Sequence, residues 1–144
     1  MLTTQTASSK LISLNIQTAT GDVEVQIGTL TVGERGKIIA SVPEPKPASA
    51  QYVDNGVTKT KVDDKNPEYL KALDDVALQR NARLVMASLI KGGNFPELAN
   101  SDDTVKEEYA LNNLDSDLFY GVLSALVQLR TRLQVTVNAV KDSF

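Results

Sequence analysis

The stretch KNPEYLKALDDVALQRNARLVMASLIKGG, residues 65–93, constrains the fold more than any other. It carries a helix start and a helix stop of its own. Asn66 can cap, Pro67 suits the first helical position, Glu68 complements the positive end of the dipole, and Lys91-Gly-Gly93 closes the run. Tyr69, Leu73, Val76, Ala77, Leu84 and Ala87 fall on one stripe at helical spacing. Leu84 to Ile90 is apolar almost all round, so this half is expected to be the more deeply buried.

The N-terminal part has a different period. In Leu11 to Gln17, Ile12, Leu14 and Ile16 share one side, and Val23, Val25 and Ile27 repeat the alternation after the turn-like Thr18-Ala-Thr-Gly-Asp22. This predicts an antiparallel hairpin with one apolar face, which helices must cover. Next comes GTLTVGERGK, residues 28–37, whose glycines invite comparison with a phosphate-binding loop. Such a loop needs Gly-Lys-Ser/Thr after its four-residue spacer, whereas Gly33 is followed by Glu34 and Arg35, an acid where a phosphate would sit. The better reading is a capping box between Thr31 and Glu34, opening a short helix that runs through Ile38, Ile39 and Ala40 until Pro43.

VPEPKPASA, residues 42–50, places three prolines within five residues and reads as an extended linker. Asp54-Asn-Gly56 is a turn signal, and in VTKTKV, residues 57–62, Val57, Lys59 and Lys61 face one way. That pattern supports an edge strand at best, and a mobile loop is the preferred expectation. Beyond the long helix, NFPEL makes a corner, and Ser101 or Asp102 caps a helix containing Glu107 and Glu108 and reaching about Leu114. Asp115-Ser-Asp117 caps a last helix from Ser116 to about Val140, although Gln134 to Val140 alternates in a way a strand would also explain. The expected architecture is α+β, mostly α: an N-terminal β-hairpin packed on a bundle of about four helices. It forms a single domain over 1–144, with hairpin and short helix in 1–42, a flexible linker in 43–65 and the helical part in 66–144.

Composition narrows the chemistry. The chain has no Cys and no His, so thiolate catalysis, Ser-His-Asp machinery and His- or Cys-based zinc sites are excluded. A net charge of −3 argues against nucleic acid or an anionic membrane as the main partner. No window approaches a membrane span, and Met1 to Lys10 lacks the pattern of a signal peptide. Acid pairs at Asp63-Asp64, Asp74-Asp75, Asp102-Asp103, Glu107-Glu108 and Asp115-x-Asp117 do not follow the calcium-loop spacing, and most sit at helix starts, where capping explains them. No catalytic, cofactor-binding or metal-binding residue is therefore assigned. A carboxylate or lysine enzyme is the weakest of the functional readings.

Binding is the better prospect. Arg80 lies within the apolar stripe of the long helix, where it either anchors a partner's carboxylate or lays its stem on the core and pairs locally. In the last helix, Leu118, Val122, Ala125, Leu129, Leu133 and Val140 make one stripe, and Tyr120, Leu123 and Val127 a second. A helix apolar on two sides is either deeply buried or covered by another chain, so self-association and a partner groove both stand beside simple burial.

Three segments together resemble the tail assembly chaperones of long-tailed, non-contractile bacteriophages. They are IGTLTVGERGKIIASV (27–42) before the proline-rich gap, DDKNPEYLKALDDVALQRNARLVMASLIKG (63–92) after it, and LDSDLFYGVLSAL (114–126). The resemblance implies a small, mostly helical protein of the infected bacterial cytoplasm. Such proteins coat the hydrophobic tape measure protein, keep it soluble, help recruit tail tube subunits and leave the finished tail. In many relatives a frameshift yields a longer product, and this chain would be the shorter one. On this reading Tyr120, Leu123 and Val127 shield partner helices, with Arg80 as a further contact and no cofactor required. The alternative is a minor tail or connector subunit that stays in the virion.

Overall fold

The computed structural model describes residues 10–142, by backbone alone from Arg130 onward. It is an α+β fold, mostly α. Two strands, β1 (Leu11–Thr18) and β2 (Gly21–Gly28), pair antiparallel from Leu11 with Gly28 to Thr18 with Gly21. The positive φ that this tight turn needs is supplied by Gly21, at 124°. Ile16, Val25 and Ile27 are buried and Ile12 and Leu14 half-buried while Ser13, Asn15 and Gln17 face water, as the alternation predicts; Val23, beside the turn, is exposed instead.

The first helix, α1 (Val32–Ala40), begins at the predicted capping box. The Glu34 N–H donates to Thr31 Oγ1 and the Thr31 N–H donates to Glu34 Oε1, each at 3.1 Å. The long helix α2 (Pro67–Lys91) starts at Asn66, whose Oδ1 accepts from the N–H of Glu68 at 2.8 Å, with Pro67 next. Its buried residues all lie between Ala82 and Leu89. Of the expected stripe only Leu84 is buried, Tyr69, Leu73, Val76 and Ala87 are half-covered, and Ala77 is exposed. The α2 residues that join the core all lie in its C-terminal half.

A 3₁₀ turn, Pro96–Leu98, forms the expected corner and leads to α3 (Asp103–Asn113), which has Asp102 at its N-cap position. Phe95 takes a left-handed conformation (φ 52°) and stacks its ring 5.0 Å from Tyr109, tying corner to helix. The last helix, α4 (Ser116–Asp142), starts where Asp115 Oδ1 accepts from the Asp117 N–H at 2.8 Å. Its backbone is helical through Gln134–Val140, so the helical reading of that stretch holds over the strand reading. The side chains of Leu133 and Val140 lie outside the described residues.

The segment 43–65 differs from expectation. Irregular chain is confined to 43–47 and the turns at 55–56 and 64–65; β3 (Ala48–Asp54) and β4 (Val57–Asp63) form a second antiparallel hairpin. Its two-residue turn is Asn55-Gly56, both at positive φ (52° and 76°), the combination that matches strand twist. The three prolines end at Pro47, and their influence does not reach the proline-free, β-branched run that follows. Every residue of both strands is exposed.

The core joins Ile16, Val25 and Ile27 of the first hairpin to Val85, Met86 and Leu89 of α2, Ala110 of α3, and Phe119, Val122 and Leu126 of α4. Glycines permit the closest approaches. A Cβ on Gly92 would lie 2.2 Å from the Gln26 carbonyl oxygen, and one on Gly121 would lie 2.9 Å from Ile16 Cγ2. Thus β2 lies against the end of α2 and β1 against the start of α4. No helix among the described residues is long and apolar enough to cross a membrane.

Candidate interaction surfaces

Arg80 is engaged within the chain. Its Nε and Nη2 donate to the carbonyl oxygen of Val42 at 3.0 and 2.8 Å, and Nη1 stands 3.6 Å from Glu44 Oε1. Val42 is buried, so this fork pins the end of α1 to α2 just before the prolines. The local-pairing reading describes this geometry. One turn on, Arg83 Nε pairs with Glu107 Oε1 at 2.9 Å, and Arg83 Nη1 donates to Ser41 Oγ at 3.1 Å. Glu107 is only 9% exposed, and a desolvated carboxylate needs such a partner.

The other acids also find local work. Glu34, already a capping side chain, pairs with Lys91 Nζ. That ammonium, then the Thr31 N–H, holds the Glu34 carboxyl below the usual glutamate range. Asp117 Oδ2 accepts from the Ala19 N–H at 3.2 Å and so fixes the β1–β2 turn to α4. Asp54 pairs with Lys59 at 3.0 Å, and Asp103 stands 3.8 Å from Arg83. Among the described residues no group of three or more acids is arranged to hold a metal ion.

The second stripe of α4 is divided. Tyr120 is 60% exposed and Val127 53%, whereas Leu123 is half-buried against the core. The buried arc runs over Phe119, Val122 and Leu126, with Leu118 and Ala125 packed at its margins. Phe119 and Leu126 were absent from the expected core stripe. They enter it because α4 is covered by both the hairpin and α2, which widens its buried arc beyond a single stripe.

Beside Tyr120 an open cleft of about 530 Å³ runs between β1 and α4. Its α4 wall is Asp117, Gly121, Ser124, Ala125 and Gln128, and the facing β1 wall is Leu14, Asn15, Ile16 and Gln17. The α4 residues recur at three- and four-residue intervals and are short near the middle, so the floor of the cleft is close to backbone. Tyr120 and Val127 do not line it; helical spacing puts them next to Ser124, one step further round α4. Sequence reasoning did not find this cleft, although a glycine inside a strongly helical run was a legible sign of close approach.

A scan against protein-family models, a search of curated proteins and a search of solved structures each return no match for this chain.

Proposed function

We propose that this chain is a non-enzymatic tail assembly chaperone of a phage with a long, non-contractile tail. In the cytoplasm of the infected bacterium it binds the tape measure protein, keeps it soluble and helps recruit tail tube subunits, then leaves before the virion is complete. The observation that supports this reading is the exposed apolar pair Tyr120 and Val127 on α4, beside the open cleft against β1. An amphipathic helix laid on the α4 surface beside the cleft finds apolar area from the exposed Tyr120 and Val127, and the short, exposed Ser124 next to them leaves it room to come close. Polar groups of Asn15, Gln17 and Gln128 along the walls suit the edges of such a helix rather than its apolar centre.

The test is co-expression with the tape measure protein of the same phage. Tyr120→Asp is expected to leave the far-ultraviolet spectrum unchanged while most of the tape measure protein moves from the soluble fraction to the pellet. Undiminished solubilisation by that variant would remove this surface from the account. Peptide mass spectrometry of purified virions separates the two roles, because a chaperone is absent from them and a minor tail or connector subunit is present.

A further inference from the structure

The β3–β4 hairpin is the least explained part of the molecule. Both strands are exposed along their whole length, and Tyr52, Val53, Val57 and Val62 stand among the large exposed apolar side chains. A two-stranded hairpin alone is marginal in water and is made secure by further strands or by packing. Its two open edges are not alike. On β4, Lys59 and Lys61 stand two residues apart, the kind of charge that guards an edge against a second chain. On β3 no charged residue occurs from Ala48 to Val53, and Pro47 limits the edge at one end.

We infer that the β3 edge is a dimerisation element, pairing antiparallel with β3 of a second copy about a two-fold axis at Gln51. The pairing is determined by backbone and charge. Because Asp54 and Val57 flank a two-residue turn, the alternation of an antiparallel ladder turns the N–H and C=O groups of Ser49, Gln51 and Val53 away from β4. Full overlap about Gln51 sets Gln51 against its own copy and Ser49 against Val53, so every outward group on the edge meets a partner. On the other face Tyr52 lies over Ala50 of the second copy, large against small. Pairing through β4 would instead set Lys59 against Lys61 twice, which like-charge repulsion disfavours. Pairing of β3 with β4 of another copy would leave an open edge at each end and propagate. Of the two pairings that close at two copies only the β3 one avoids setting lysine against lysine, and it places both lysine-bearing strands on the outside of the resulting four-stranded sheet.

The test is the mass of the full chain in solution by light scattering and sedimentation over a concentration series. The wild-type chain is expected to reach dimer mass. Gln51→Lys faces only Thr60 within its own hairpin, so it leaves the monomer intact, but it brings two like charges together at the axis. It is expected to be monomeric, as is Gln51→Glu, and a one-to-one mixture of the two is expected to return to dimer mass. A wild-type chain that stays monomeric throughout the series would overturn the inference. So would a Gln51→Lys chain that still dimerises, or a mixture that does not recover the dimer.

Discussion

Glu34 shows how much a single side chain can carry. One carboxylate closes the N-terminus of α1 through Thr31 and receives the ammonium of Lys91 from the last turn of α2, joining two elements distant in sequence. Both contacts favour the ionised form, so its folded-state pKa lies below the ordinary value of 4.5. The stability it contributes is therefore present above that value and is lost as the pH falls through the lower, folded-state one. A urea series on wild type and Glu34→Gln is expected to show wild type ahead at neutral pH and the gap closing below about pH 4.5. The gap is expected to be small, because the side chain is 43% exposed and solvent screens it. The opposite trend, a gap widening in acid, would show that the carboxylate is not stabilised by these contacts.

At the level of elements, α4 separates packing from display. Leu123 belongs to the core side and Tyr120 to the surface, although spacing put them on one stripe. Leu123→Asp is thus expected to cost about 2–3 kcal/mol and to lower the melting temperature by roughly 10 °C. A thermal melt beside that of Tyr120→Asp, which should hardly move, checks the division. Equal melting temperatures for the two variants would return Leu123 to the surface. Elements were legible wherever local chemistry fixes them: the capping box at Thr31, the Asn66-Pro67 start and the alternation of Ile12, Leu14 and Ile16. The placement of partners was not. That Arg80 would reach the carbonyl of Val42, or that Phe119 would be buried, depends on which elements meet α2 and α4, which no periodicity encodes. The β3–β4 hairpin was missed for another reason. Three prolines, Pro43, Pro45 and Pro47, stand directly ahead of it, and its strands bury no face that would give them a clear apolar period.

The whole molecule is uneven in its ordering. Core residues of the first hairpin, the second half of α2 and the first half of α4 bury one another, while β3 and β4 stay in water along their whole length. Native-state hydrogen exchange is expected to find the slowest amides around Val85 to Leu89. At concentrations where the chain is monomeric, the strands 48–54 and 57–63 should exchange several orders of magnitude faster. Protection of those strands equal to that of α2 would mean that the hairpin is held by contacts beyond its own ladder.

The position of the first hairpin also has a consequence for synthesis. β1 and β2 are made early and can pair within microseconds. The helices that cover them come later: β2 waits for the end of α2, and β1 for Gly121 and its neighbours on α4. At about 5–20 residues per second, translation from Gly28 to Leu126 takes roughly 5–20 s. Within that interval Val25 and Ile27 have no cover until the end of α2 is made, and Ile16 has none until α4 is. The nascent protein is itself, for those seconds, a client in need of shelter.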